Sequence, residues 1–344
     1  MKILLSSYVF SPSVGGIETV SELLAPQFVK KGHEVILVTH TAADDGIERP
    51  YAVERQPGAR RLIELVRWCD VYFQNNISLH YAWPLLFVHK PWVIAHHTWL
   101  GEFPNKRNWK ARLKRRLLKH GLNATISHPV ASDLPLPSTI VGNPYATGIF
   151  RKRPEIARDQ ELVYLGRLVP DKGVDLLIES LVQLRRRGQT PHLTIIGSGS
   201  EEKFLRALTT ERKLDSQVEF LGSKKPEEIA LLLNAHQILV VPSRWPEPFG
   251  IVALEGIASG CVVVAAQSGG LPEVVGPCGL IFGMDDEEDL TNVLHTLLSR
   301  PELRARLNRD AEKHLLQYDP ATVAQRYIDV FNRSLGMGVS LACA

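Results

Sequence analysis

The sequence predicts an α/β chain built from two doubly wound parallel sheets. Two observations carry this expectation. Short, continuous apolar runs alternate with helical stretches, and the whole alternation occurs twice. Strands that are apolar at every position, rather than at every second one, are buried on both faces, which marks parallel sheets covered by helices. The length of 344 residues agrees, being too long for one ordinary core and suited to two domains.

In the first half, apolar runs predict strands at 2–7, 34–39, 69–74, 91–96 and 123–127, with helices at 17–31, 59–67 and 106–120. The second half predicts strands at 161–166, 192–197, 217–222, 237–241 and 261–265. Its helices are expected at 173–187, 201–213, 226–234, 250–259 and 286–299. Prolines, charges and a weak apolar signal between Asn143-Pro144 and Pro154 mark a linker, giving domains of 1–146 and 147–319. Two more helices fit 301–316 and 320–335, and residues 336–344 carry little pattern. Open α/β domains bind ligands at the carboxyl ends of their strands. Two such edges facing one another would make a central cleft the natural active site.

Composition narrows the classes. With 44% hydrophobic and 22% charged residues the chain is not disordered, and a net charge of +3 is too small for a general nucleic-acid binder. Cys69, Cys261, Cys278 and Cys343 lack metal-ligand spacing, so free thiols in a reducing compartment are expected. The apolar run Ile3–Leu5 is too short for a secretory leader, and no apolar run reaches the roughly 20 residues that cross a bilayer. A cytoplasmic location is expected, with room for peripheral contact with the inner face of a membrane.

Five motifs lie after predicted strands. Ser13-Val14-Gly15-Gly16-Ile17-Glu18 puts glycines where backbone can approach a ligand, before a helix start that favours anions. It lacks the G-x-G-x-x-G spacing of a dinucleotide site, which disfavours a nicotinamide-dependent dehydrogenase, and a plain tight turn explains the same letters. Gly166-Arg167-Leu168-Val169-Pro170-Asp171-Lys172-Gly173 sets two cations on one short loop, as a diphosphate needs, although a solvated basic turn looks the same. Gly197-Ser198-Gly199-Ser200-Glu201 lets backbone meet a flat nucleobase, or is a turn with a helix cap at Ser200. Ala95-His96-His97-Thr98-Trp99 doubles a histidine at a strand end. A zinc site there is disfavoured, because no third ligand is evident.

The strongest segment runs from Pro242 to Glu255. Glu247 stands in a proline-bracketed loop. Phe249, Gly250, Ile251 and Val252 open the next helix with free backbone N–H groups. Glu255 falls among Ile251, Val252, Ala253, Leu254, Ile257 and Ala258, where a carboxylate is costly unless it accepts hydrogen bonds. Ribose hydroxyls would supply them, and pairing with a buried cation or facing solvent would also resolve the cost.

In this combination the chain resembles the retaining GT-B glycosyltransferases of family GT4, over nearly its whole length. Glu247 and Glu255 match the family's E-x7-E motif, and Ala258-Ser259-Gly260 and Gly269-Gly270-Leu271-Pro272-Glu273 match its continuation. Arg167 and Lys172 match its diphosphate pair, Gly15 and Gly16 its N-terminal glycine loop, and Asn143-Pro144 its interdomain signal.

The resemblance implies two Rossmann-like domains facing across a central cleft, with the helix at 320–335 packing back on the first. It implies transfer of a sugar from a UDP- or GDP-sugar to a hydroxyl of a glycan or glycolipid acceptor, with retention and without a metal or other cofactor. Glu255 would bind ribose, Glu247 and His97 would contact the sugar, and Arg167 and Lys172 would hold the diphosphate as it leaves. His96 would be structural. A sugar-nucleotide epimerase of the same fold, or a non-catalytic nucleotide-sugar-binding protein, would share much of this set.

One further feature is the acid-free stretch 106–120, with Lys106, Arg107, Lys110, Arg112, Lys114, Arg115, Arg116 and Lys119. Trp109, Leu113 and Leu117 recur every fourth residue, so the helix would either lie on an anionic membrane or pack its stripe inward.

Overall fold

A computed structural model describes residues 1–13, 15–100 and 109–341, without side-chain detail for 109–111 and 337–341. The chain divides into two compact units, one of 1–144 with 318–344 and one of 145–317. The division at Pro144 falls two residues before the expected boundary, and the chain re-enters the first unit at Tyr318.

The first unit opens with β1 (Lys2–Ser7), α1 (Gly16–Lys30), β2 (Glu34–Thr39) and β3 (Ala52–Arg55). It continues with α2 (Ala59–Trp68), β4 (Val71–Asn75), α3 (Leu79–Ala82), β5 (Trp92–His96) and α4 (Trp109–Leu117). β6 (Leu122–Thr125), α5 (His128–Asp133) and β7 (Ser138–Ile140) complete its sheet, whose order is β3-β2-β1-β4-β5-β6-β7. All pairings are parallel. The chain winds outward from β1 to β3 and returns on the other side through β4, so strand order reverses between β1 and β4.

The last helix of the chain, α14 (Pro320–Leu341), packs on this unit. Phe331 meets Phe28 of α1 and Phe73 of β4 at ring separations of 5.5 and 5.2 Å. Tyr327 meets Phe73 at 4.8 Å, and the Arg326 guanidinium donates to the Val141 carbonyl at 2.9 Å. Four fully buried aromatic rings contribute most to such a contact, because each removes a large apolar area from water.

The second unit repeats the plan with β8 (Gln160–Leu165), α6 (Val174–Arg186), β9 (Leu193–Ile196), α7 (Glu202–Glu211), β10 (Val218–Gly222) and α8 (Pro226–Ala235). β11 (His236–Val241), α9 (Ile251–Ala258), β12 (Val262–Ala266), α10 (Leu271–Val275) and β13 (Gly279–Phe282) follow. The unit closes with α11 (Glu287–Ser299), α12 (Pro301–Leu307) and α13 (Ala311–Leu315). Its parallel sheet runs β10-β9-β8-β11-β12-β13, with the reversal between β8 and β11. Leu162, Ile238, Val240, Val262 and Val264 of the central strands pack with Leu177, Leu181 and Leu184 of α6 in one continuous core.

Three strands have no counterpart among the sequence expectations: β3, β7 and β13. All are sheet edges. An edge strand is covered less completely, and these three are mostly half-buried or exposed, so they lack a long apolar run. The single helix expected at 301–316 is instead broken into α12 and α13. Asn308 at the break turns its side-chain amide to the Gly260 carbonyl at 3.1 Å. Ser127, expected within a strand, ends it and caps α5, accepting from the Val130 amide at 3.4 Å. Cys69, Cys261 and Cys278 are buried free thiols, and Cys343 lies outside the described residues.

Candidate functional site

The motifs of the second unit collect on four loops after β8, β9, β11 and β12, at the carboxyl edge of the sheet. Strands β8 and β11 flank the reversal point, which is where open α/β sheets bind ligands.

The loops are laced together by backbone. Gly166 N–H donates to Ile196 O at 3.0 Å, Leu168 N–H to Ser198 O at 2.9 Å, and Glu201 N–H back to Leu168 O at 3.0 Å. Gly197 has φ +138°, and a Cβ there would stand 1.8 Å from the Gly166 carbonyl oxygen. A Cβ on Gly199 would come within 2.1 Å of Leu168 O. Both glycines are therefore required by loop-to-loop contact, a reason separate from any ligand. Ser198 is exposed and its hydroxyl meets that of Ser223 at 2.8 Å. Ser200 is not a helix cap: α7 begins at Glu202 without a capping side chain.

The other two loops are tied in the same manner. Arg244 and Trp245 donate their amides to Asp171 O at 2.9 and 3.2 Å. The Arg244 guanidinium bridges Asp175 and Asp285, each at 2.6 Å, which holds its pKa well above the ordinary range. Gly270 N–H donates to Glu247 O at 2.7 Å. Arg244 lies inside the segment from Pro242 to Glu255, yet nothing in the sequence distinguishes a clamping arginine from a solvated one.

Within this frame Lys172 and Glu247 form an ion pair, and Ser243 Oγ donates to the same carboxylate oxygen at 2.7 Å. Arg167 is exposed and makes no ion pair with any described residue. The phenol of Tyr164, donating to Arg167 O at 2.8 Å, joins the two sides. Burial raises the Tyr164 pKa first, the Glu247 charge raises it further, and Arg167 opposes both. The Glu247 carboxylate and the Arg167 cation thus both act on one buried ring, and Lys172 is paired to that carboxylate.

Glu255 lies one turn into α9, whose amino end is formed by Phe249, Gly250, Ile251 and Val252. Gly250 lies against Leu271 and has φ +102°, a backbone conformation that side-chain-bearing residues rarely adopt. The first turn presents N–H groups without helical acceptors. The Glu255 carboxylate has no hydrogen-bond or ionic partner among the described residues, and desolvation alone pushes its pKa up to about 7. No buried cation answers it.

In the first unit, Gly15 precedes α1 in extended backbone and Gly16 is the first residue of that helix; Val14 lies outside the described residues. Asn75, at the end of β4, donates to Ile17 O at 3.0 Å and holds the start of α1 to the sheet. His97 follows β5. Its amide donates to Asn76 Oδ1 and its Nδ1 meets Asn143 Oδ1, both at 2.9 Å. An amide oxygen can only accept, so Nδ1 carries the proton and Nε2 is a bare acceptor. Nε2 is buried without a partner, and burial lowers the ring's pKa to about 4, with the Asn143 bond opposing. His96 instead meets Asn123 Oδ1 of β6 at 2.9 Å, inside the sheet. Sequence reasoning singled out His97 but not Asn76, which fixes its backbone. Among the described residues no three His, Cys, Asp or Glu side chains converge on a possible cation site.

Residues 147–314 match the family described as Glycosyl transferases group 1. Over those residues the chain is similar to the group 1 glycosyltransferases. D-inositol 3-phosphate glycosyltransferase of Corynebacterium efficiens is 32% identical over 202 residues, covering 56% of this chain and 47% of that protein. Glycogen synthase of Mycobacterium tuberculosis is 34% identical over 174 residues, covering 50% and 42%. The chain thus matches about half the length of these curated relatives. Among solved structures, sucrose-phosphate synthase from Thermosynechococcus elongatus superposes with a TM-score of 0.81 at 20% identity, over 98% of this chain and 99% of that one. Anabaena HepE in complex with UDP and glucose superposes with a TM-score of 0.77 at 21% identity, over 96% and 99%. The fold is GT-B, with two Rossmann-like α/β domains.

Proposed function

We propose that the chain transfers a sugar from a nucleoside diphosphate sugar to an acceptor hydroxyl with retention of configuration. The observation that carries this is that Glu247, paired with Lys172, and Arg167 both act on Tyr164 at the reversal point of the second sheet. Breaking the anomeric C–O bond builds negative charge on the departing diphosphate. Cations fixed in advance lower that barrier most, because they need no reorganisation as the charge appears. Lys172 exchanges Glu247 for a phosphate oxygen, and Glu247 becomes free to accept from a sugar hydroxyl. The acceptor oxygen forms its bond on the face the leaving group vacates, and its proton passes to the leaving phosphate oxygen. Amides at the start of α9 face the diphosphate, Glu255 accepts from ribose, and Gly197, Ser198 and Gly199 border the base. The bare Nε2 of His97 is the group we assign to a sugar hydroxyl.

HepE, of the same fold, is described in complex with UDP and with UDP-glucose, which supports a uridine donor; a GDP-sugar is the other candidate. A panel of UDP- and GDP-sugars incubated with oligosaccharide and glycolipid acceptors tests the reading. Acceptor-dependent release of nucleoside diphosphate is expected. Isomerised donor would indicate an epimerase, and binding without turnover a sensor.

We also propose peripheral membrane contact. No helix among the described residues is long and apolar enough to cross a membrane. Arg112, Arg115, Arg116 and Lys119 are exposed on and after α4, and Leu113 is exposed instead of packing inward. Trp109 and the residues 106–108 lie outside the described side chains. Leu117 and Leu118 share a core cluster with the turn around Trp83, and that turn exposes Leu86 and Phe87. Exposed apolar side chains beside cations suit an anionic lipid surface. Flotation with phosphatidylglycerol liposomes is expected for the parent and not for Arg115→Glu/Arg116→Glu; equal flotation of both would end this part of the proposal.

A further inference from the structure

The carboxyl edge of the first sheet carries a ring cluster that none of the roles above uses. Tyr8 follows β1, His40 follows β2, and His80 lies at the start of α3 just beyond β4. The Tyr8 and His40 rings stack with centroids 5.0 Å apart and planes 17° apart. His80 meets His40 edge-on at 4.9 Å and Tyr8 at 5.9 Å. Behind them the fully buried Tyr81 meets His80 at 4.8 Å and supports the group. Tyr8 nevertheless remains 45% exposed, and His80 is exposed as well.

Placement decides what this cluster can do. Tyr8 and His80 lie on either side of the β1–β4 reversal, where the first sheet has its ligand-binding crevice. Ser7 is in register with Asn75, and Asn75 with Ala95, so Tyr8 lines up with Asn76 and His96. His97 is therefore two strand spacings from Tyr8, about 10 Å across the same edge. That leaves room for two adjoining sugar rings.

The chemistry is amphipathic. An exposed aromatic ring takes the C–H face of a sugar, and the exposed His80 imidazole offers one donor and one acceptor to hydroxyls. Anions are poorly served. The cations of the neighbouring loop are engaged, Arg49 by Glu22 and Asp45, and Arg55 by Asp44. Burial, and then the closeness of His40, hold the His80 pKa below its ordinary value.

We propose that Tyr8, His40 and His80 form a stacking platform for a pyranose ring of the acceptor. The proposal rests on the transfer reading and narrows it: the acceptor presents a saccharide, not a bare lipid headgroup or a phosphate, beside the hydroxyl that reacts.

Saturation-transfer NMR with methyl α- and β-glucopyranoside, galactopyranoside and mannopyranoside tests it, alongside calorimetry of UDP and GDP. At least one glycoside should receive saturation on its ring C–H protons. That signal should fall at least fivefold in Tyr8→Leu and His80→Ala, with nucleotide affinity unchanged. Tyr8→Leu keeps apolar volume without the aromatic face, and circular dichroism identifies folded variants. Absence of saturation in the parent, equal saturation in folded variants, or displacement of the glycoside by UMP or GMP would overturn the platform. Glycoside binding without any nucleotide binding would leave the platform standing and remove the transfer reading.

Discussion

Lys172 and Glu247 hold each other in an ion pair across two loops, one following β8 and the other following β11. Both are also proposed to touch the donor. The pair is therefore a competitor: a phosphate must draw the ammonium away from the carboxylate, with Ser243 still bonded to Glu247 at 2.7 Å.

Competition separates the two residues experimentally. Lys172→Ala removes one charge-assisted phosphate bond and should weaken nucleoside diphosphate binding by about 1.5–3 kcal/mol. Glu247→Gln frees the ammonium, so nucleoside diphosphate should bind at least as tightly as to the parent, while transfer falls because the sugar loses its acceptor. Calorimetry with UDP and GDP, together with turnover, reads both. Parallel losses of affinity in the two variants would contradict the competition.

Gly197→Ala addresses the frame. The residue has φ +138°, and its Cβ would stand 1.8 Å from the Gly166 oxygen, which belongs to backbone and cannot swing aside. The variant should lose about 2 kcal/mol or more of stability through strain. It should also weaken nucleotide binding, because the Gly166–Lys172 loop moves with it. Thermal denaturation with and without nucleotide measures both, and an unchanged melting temperature would show that the contact yields cheaply.

The two sheets were legible because their central strands are apolar at every position. Edge strands β3, β7 and β13 were not, because half-exposed residues give no such run. The site was legible where special letters stand close in sequence, as in Arg167 to Lys172 or Glu247 to Glu255. It was not legible where distant residues do the holding. Asn143, bonded to His97 from 46 residues away, was visible only as part of a linker, and Arg244, clamping Asp175 and Asp285, only as one cation in a loop. The glycines of the 197–199 turn illustrate a third limit. Their sequence suits close approach, but it cannot say that the approaching group is another loop's carbonyl.

Charge neutralisation by Arg167 and Lys172 predicts how activity responds to chelation. If side chains supply the positive charge that the leaving diphosphate needs, transfer should persist in millimolar EDTA. A rate that collapses and returns with Mg²⁺ or Mn²⁺ would place that task on a metal.

His97 gives the first unit a definite pH dependence. Its folded pKa of about 4 lies below the ordinary 6.5. Between these values the unfolded chain takes up a proton that the folded ring refuses. The contribution of His97 to stability is therefore present above pH 6.5 and lost as pH falls through about 4, with a slope of at most about 1.4 kcal/mol per pH unit. His97→Gln should flatten that slope in acid denaturation of the first unit. A slope that persists would assign it to another group.

Glu255 behaves in the opposite sense. Its ordinary value is 4.5 and its folded value about 7, so its contribution to stability is present below pH 4.5 and lost as pH rises through about 7. The unpartnered carboxylate is expensive when charged, and a pair of ribose hydroxyls would relieve that cost by donating to it. Nucleotide binding should then favour the charged form and pull the pKa down. Affinity for UDP or GDP should rise as pH increases from 6 to 8. Calorimetry near pH 7 should show proton release on binding, as a buffer-dependent heat. Glu255→Gln should bind more weakly, show no such rise, and be more stable than the parent above pH 7. If its affinity follows the parent's pH profile, Glu255 does not meet the ribose.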